Sequence, residues 1–173
     1  MRKAAAMTES IDHASLDPAV KKTVLRLFTY GLYAVGVAQG DDRNLFTANW
    51  LTQVSFEPPL LALAVENDSY SIELIRQSRI FAISVFSSDS RQLAGALGKR
   101  RKVKPDKLDQ IRYRLGTTGC PILEEALGAV ECRVTGELAA GDSTLFLGEV
   151  IQVEALVEGI PLTMAEAGFR HAG

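Results

Sequence analysis

Apolar residues recur along this chain at two spacings, and the spacing changes at punctuation residues. Val20, Val24, Leu27 and Phe28 follow Asp17-Pro18 at helical intervals, which predicts a short helix near 18–28 with Asp17 as its N-cap. The stretch TYGLYAVGVAQ then turns β-branched and aromatic, and GDDRN is a turn signal. Strands are predicted at about 30–39 and 44–50, paired as a hairpin. After EPP, the run LLALAVE at 60–66 is continuously apolar, as in a strand covered on both faces. SYSIELIRQS reads as a helix capped by Ser69, with Ile72 and Ile75 inward. IFAISVFS at 80–87 is another strand, and SDSRQLAGALG a second helix, capped by Ser88 or Ser90 and ended by Gly98. Residues 99–119 carry only a weak helical pattern. In ALGAVECRVTGEL, Val130, Cys132, Val134 and Leu138 alternate with Glu131, Arg133, Thr135 and Glu137, and STLFLGEVIQVEAL is its hairpin partner. Six or seven strands with inserted short helices, linked by hairpins and without a βαβ repeat, predict a mainly β chain. A closed or split antiparallel barrel fits best.

Composition narrows the class. The chain has 173 residues, 47% hydrophobic and 23% charged, enough for one domain with a real core. Residues 1–16 are polar and Ala-rich, expected as a flexible N-terminal tail before a domain over 17–173. The net charge of −2 argues against a nucleic-acid binder. No apolar run approaches the roughly 18 residues of a membrane span. The N-terminal stretch lacks a signal-peptide core, so a cytoplasmic location is expected. Cys120 and Cys132, with His13 and His171, fit no metal-ligand spacing. Cys132 reads as a small buried apolar residue, and Cys120 as a loop residue before Pro121.

The chemistry is not that of an acid–base enzyme. There is no nucleophile elbow, no Walker A pattern and no GxGxxG after a strand. The acid pairs Asp41-Asp42 and Glu124-Glu125 sit beside turns, as solvated surface carboxylates do. Two features remain. In TANWLTQVSFEPP, Thr47, Asn49, Thr52, Gln53 and Ser55 place hydroxyls and amides around Trp50, directly before an apolar strand. A lone Trp stacks on a planar ring or fills a core, more often the latter. Ser69 and Ser71 open a helix whose free N–H groups favour an anion, although capping accounts for them equally well. The cluster GKRRKVKPDK is a solvated loop or a holder of one or two phosphate groups.

Taken in order, these segments resemble a known family. FTANWLTQVSFEPPLLALAVENDSYSIELI, FAISVFS, GKRRKVKPDKL, GCPILEEALGAVECRV, GDSTLFLGEVIQVE and PLTMAEAGFR are similar to successive elements of the flavin reductase-like family, the FMN-binding split barrels. The likeness spans about residues 26–172. It implies a six-stranded antiparallel split β-barrel, a homodimer with flavin near the subunit interface, and FMN as cofactor, with FAD as the alternative. It implies hydride transfer from NADH or NADPH to flavin, with reduced flavin or electrons passed to a partner oxygenase or electron-acceptor protein. By position, Thr47, Ala48, Asn49 and Trp50, with Gln53, Val54 and Ser55, would hold the isoalloxazine and ribityl chain. Ser69 and Ser71, with Lys99 or a neighbouring Arg, would meet the phosphate. Trp50 would flank the flavin or pack at the dimer interface.

One position departs from the pattern. Many relatives carry His after Gly-Asp in the late hairpin, where this chain has Ser143. The departure bears on nicotinamide geometry more than on flavin binding, and His171 is the only candidate substitute. No catalytic side chain and no metal ligand is expected, because the cofactors perform the hydride transfer. The alternative is a non-catalytic FMN protein that carries electrons or stores flavin. A barrel that binds haem instead is disfavoured by the retained TANW and Val-Ser-x-x-Pro-Pro patterns.

Overall fold

In the computed structural model, which describes residues 16–170, strand β1 (Tyr33–Gln39) pairs with β2 (Asp42–Ala48) across a turn at Gly40, whose φ is 59°. The expected tail, residues 1–16, lies outside the described residues except for Leu16, and so does His171. Strands β3 (Leu51–Phe56) and β4 (Pro59–Glu66) form the next hairpin. Helix α2 (Ser71–Ser78) and β5 (Ile80–Val85) follow, then a 3-10 turn at Ser88–Ser90 and α3 (Arg91–Leu97). Short strands β6 (Tyr113–Leu115) and β7 (Pro121–Leu123) pair with each other. The long hairpin β8 (Gly128–Ala140) and β9 (Ser143–Ala155) leads to α4 (Met164–Ala167).

The main sheet has seven strands in the order β2-β1-β5-β8-β9-β4-β3, where six were expected. Its paired neighbours are all antiparallel. The two edge strands, β2 and β3, are consecutive in the chain and are not paired with each other, so the barrel is split along one seam. Its interior is filled by Val35, Val37, Leu63, Val65, Phe81, Ile83 and Phe146, closed at one end by Ile72 and Ile75 of α2. A second cluster, with Leu32, Leu45, Phe86, Leu97, Leu123 and Leu162, packs α3 and the C-terminal segment on the outer side of β1 and β2. Both faces of β1 are thereby covered.

Several expectations shift in detail. The first helix, α1 (Pro18–Leu25), has its Asp17 cap, but it buries none of its residues in this chain. Ser69 sits one position ahead of the α2 cap, its hydroxyl accepting from the Ser71 N–H at 3.3 Å. Ser90 is the N-cap residue of α3, one of the two expected, but its side chain makes no cap bond; Ser87 caps the 3-10 turn ahead of it. The alternation expected along β8 fails at both ends. Glu131 is only 4% exposed and Leu138 is 64% exposed, because bulges at Glu131/Cys132 and Val134/Gly136 each reset the face. Glu131 accepts from the Thr117 N–H at 2.9 Å, the Thr118 N–H at 2.7 Å and the Thr118 hydroxyl. Burial alone would raise its carboxyl pKa, but the Thr118 and Thr117 donors outweigh it and hold the value low. Cys120 is the loop residue expected ahead of Pro121, and it is buried in the core. It and Cys132 are both fully buried free thiols, and burial pushes Cys132 up to about 12.

Gly36 marks the closest approach between the sheet and the β6–β7 hairpin. A Cβ added there would lie 1.9 Å from the Pro121 carbonyl oxygen. Gly36→Ala is expected to cost about 1–3 kcal/mol through this overpacking, read as a lower urea midpoint. An unchanged midpoint would mean that β7 yields freely.

Candidate functional site

A cavity of about 640 Å³ opens at the seam between β2 and β3. Its floor is the end of β2 and the link to β3, from Phe46 through Trp50, with Ala64 to Glu66 of β4 beside it. One wall is α3, where Ala94, Gly95 and Leu97 leave room for a flat group. The rim holds Asp68, Ser69 and Tyr70 ahead of α2, and the loop Gly98–Lys102. Met164, Phe169 and Arg170 complete the lining. The C-terminal segment is held there by the Leu162 N–H to Phe86 O bond and the Arg91 side chain to Ala167 O bond, 2.9 and 2.6 Å.

Six of the ten residues expected to meet a cofactor line this cavity: Thr47, Ala48, Asn49, Trp50, Ser69 and Lys99. Thr47 donates its hydroxyl to Ala94 O at 2.7 Å, which ties β2 to α3 and leaves the oxygen able to accept. The Trp50 carbonyl accepts from the Ala64 N–H at 3.0 Å, so the seam link is anchored to β4. Asn49 Nδ2 is buried with no hydrogen-bond partner. Such a group is rare in a native fold and marks a place for a ligand acceptor.

The other four lie elsewhere. Ser71 is fully buried behind the rim, where its hydroxyl accepts from Asn44 Nδ2 at 2.9 Å. Gln53, Val54 and Ser55 sit on β3 away from the lining, and Gln53 Nε2 donates to Ser55 O at 3.0 Å across a bulge. Ser143 is also buried outside the lining, with its hydroxyl donating to Asp142 Oδ1 at 3.1 Å.

The cationic loop is held by carboxylates on either side. Arg100 pairs with Asp68 at 2.5 Å and Glu66 at 3.1 Å. Arg101 pairs with Asp42 at 3.0 Å, donates to Arg43 O at 2.8 Å, and lies 4.3 Å over the Tyr70 ring. The Tyr70 hydroxyl also donates to Asp42. These Tyr70 and Arg101 bonds lower the Asp42 carboxyl pKa, and the Asp42 bond raises the Tyr70 phenol. The sequence pattern singled out none of Asn44, Tyr70, Lys107 or Arg170. Asn44 was part of a turn signal, and nothing in the spelling of GKRRKVKPDK separates Lys107 from the other cations.

Small residues along an apolar slot, an orphaned amide donor at its floor and cations at its rim suit a planar heterocycle with an anionic tail. A curled antiparallel sheet open at one seam, with this slot in the opening, defines an FMN-binding type of split barrel. The chain belongs to the flavin reductase like domain family, whose family model matches residues 25–173. It is an oxidoreductase-type flavoprotein fold.

Individual relatives agree. The chain is 31% identical to the high molecular weight rubredoxin of Moorella thermoacetica, over 82% of this chain and 62% of that protein. It therefore spans less than two thirds of that relative. It is 28% identical to the ferric-chelate reductase (NAD(P)H) of Archaeoglobus fulgidus, over 80% of this chain and 83% of that one. Among solved structures it is similar to the NADH:FAD oxidoreductase SgcE6 of Streptomyces globisporus, with a TM-score of 0.79 and 27% identity. That match covers 91% of this chain and 96% of the other.

Asn49 gives a direct test of the slot. Asn49→Ala removes a buried donor that lacks a partner in the flavin-free chain. The flavin-free variant is expected to be as stable as the parent or more so, by up to about 1 kcal/mol, in chemical denaturation. Its affinity for flavin is expected to fall. A destabilised variant with unchanged flavin affinity would remove Asn49 from the site.

Proposed function

We propose that this chain is a flavin reductase that binds FMN, or FAD, in the seam cavity and uses NADH or NADPH as hydride donor. Reduced flavin or electrons then pass to a partner, either an oxygenase or an electron-acceptor protein. The observation that carries the reading is the slot at Thr47–Trp50, with Asn49 and its unpartnered buried amide among the lining residues and cations at the rim. The bound flavin would supply the redox chemistry, accepting hydride from the nicotinamide and giving up electrons to the acceptor. The chain's part is positional. Asn49 Nδ2 would donate to the flavin, and the Thr47 oxygen, held against α3, would accept from it. Trp50 bounds the slot, while Ser69 and Lys99 stand at the phosphate end. Holding hydride donor and acceptor together in a reactive orientation is the main rate contribution such a site would make.

A homodimer belongs to the same proposal. The apolar residues Val20, Val24, Leu27 and Phe28 of α1 and its extension are exposed in the single chain, as are Val54 and Phe56 of β3. Phe56 is 89% exposed. Surfaces of this kind are covered by a partner. A second copy seated on β3 is also the way in which Gln53, Val54 and Ser55 would reach a flavin, since they lie outside the chain's own cavity. No helix among the described residues is long and apolar enough to cross a membrane. A cytoplasmic location, where NADH and NADPH are supplied, completes the proposal.

A second reading rests on Ser143. Where many relatives have His, this serine is buried and bonded to Asp142, and it offers nothing to a nicotinamide at the chain's own slot. That favours a non-catalytic FMN protein for electron transfer or flavin storage. Anaerobic stopped-flow mixing of the flavin-loaded chain with NADH and NADPH separates the two. Bleaching of the flavin absorbance by either nucleotide is the expected result, and no bleaching by both would leave the carrier reading. Purified chain that fails to bind added FMN would defeat both readings. Lys99→Ala is expected to weaken FMN about five- to tenfold and riboflavin less than about twofold, as for one lost charge-assisted phosphate contact. Equal losses in fluorescence titrations would remove Lys99 from the phosphate end.

A further inference from the structure

Helix α3 ends without the device that its sequence offers. Gly98 keeps a right-handed φ of −68° instead of turning left-handed. The last carbonyls of a helix still need donors: the Gly98 and Lys99 N–H groups serve Ala94 O and Ala96 O, and Lys107 serves the last one, Leu97 O. Its Nζ donates to Leu97 O at 3.0 Å and to Lys99 O at 3.1 Å. The residue is only 4% exposed, and it lines the seam cavity. No carboxylate pairs with it among the described residues. An ammonium carries three donors, so one remains beyond the two carbonyls. A buried cation without a counter-ion is costly, and an anion entering the cavity would relieve that cost.

We propose that Lys107 is the positioning residue for the phosphate end of the flavin: it ties the end of α3 to the loop that carries Lys99, and it adds a buried positive charge to the cavity wall. The inference rests on the flavin reading above and goes beyond it by naming a residue outside the TANW and Lys99 sites. Burial, and after it the nearby Arg101, bring the Lys107 ammonium down to about 8. Below that pH the residue is charged and attracts a phosphate. As pH rises through it, the charge is lost. A phosphate monoester is already doubly ionised there, since its second pKa is about 6.

The other charged groups of the cavity are Lys99, Arg100, Arg101, Lys102 and Arg170, with Glu66 and Asp68 opposite. Tyr70, raised above the usual phenol range by Asp42, stays protonated through this window. Riboflavin, which has no phosphate, is the ligand that should not sense the change.

The test is fluorescence titration of the full chain with FMN and with riboflavin, at about pH 7 and about pH 9.5. In the parent chain the FMN Kd is expected to rise about tenfold across this interval, the equivalent of one pKa unit of coupling, and the riboflavin Kd less than about twofold. Lys107→Met is expected to weaken FMN at the lower pH and to flatten its pH dependence. Lys107→Arg, charged at both pH values, is expected to keep FMN tight at the higher one. If Lys107→Met does not fold, the parent series and Lys107→Arg decide the matter. Parallel pH dependence for the two flavins in the parent, or a Lys107→Arg variant that loses FMN with pH as the parent does, would overturn the assignment while leaving the flavin site standing. A parent chain that binds neither flavin would overturn both.

Discussion

Asn49 and Trp50 join strands that stand at opposite ends of the sheet order. A flat sheet of seven strands would set its edges about 29 Å apart at the usual spacing. The chain between Ala48 and Leu51 can span at most about 11 Å. The sheet must therefore curl until its edges meet, and this short link acts as the clasp of the barrel. The edges meet without pairing, so a seam stays open. An unpaired seam inside a folded chain exposes backbone and polar side chains to a space that packing does not fill. The cavity and its orphaned Asn49 donor follow from that geometry.

Two of the cations at the rim of the cavity are matched within the chain. Arg100 is matched by Glu66 and Asp68, and Arg101 by Asp42 and the ring of Tyr70. These pairs are at least partly exposed, so each adds little to stability. Their effect is to set where the loop runs, between the β1–β2 hairpin and the segment ahead of α2. Lys107 works from below, bonded to carbonyls rather than to a carboxylate. The loop thus keeps a buried cation that no acidic group among the described residues pairs with. An anion is the natural complement of such a cation.

The surface of the single chain is uneven in the same region. The apolar residues of α1 and of β3 are uncovered, while β1, only one strand removed from the seam, is packed on both faces. Propensity and a good N-cap make α1 a helix, yet none of its residues is buried among the described residues. The bulges of β8 add a second irregularity. They turn Glu131 inward to bind the Thr117–Thr118 backbone and turn Leu138 out to solvent.

Local pattern was enough for the β1–β2 and β8–β9 hairpins, helices α1 to α3 and the class of fold, because strand alternation, helical spacing and turn residues act between near neighbours; strand β3, the β6–β7 hairpin and α4 were not legible in it. The sequence also located the seam segment, since small polar residues around one Trp have no place in an ordinary core strand. What it left open was settled by contacts between distant parts of the chain. Ser71 reads like Ser69 in the sequence, but a bond from Asn44, 27 positions away, buries it behind the rim. Gln53 to Ser55 continue the TANW segment, but the turn of the strand carries them off its lining. Lys107 is one cation among six in its stretch, and only the packing of its loop under α3 gives it two carbonyls and a buried place at the cavity. Local sequence fixes which residues can hydrogen-bond or carry charge; the closure of the sheet decides which of them face the same space.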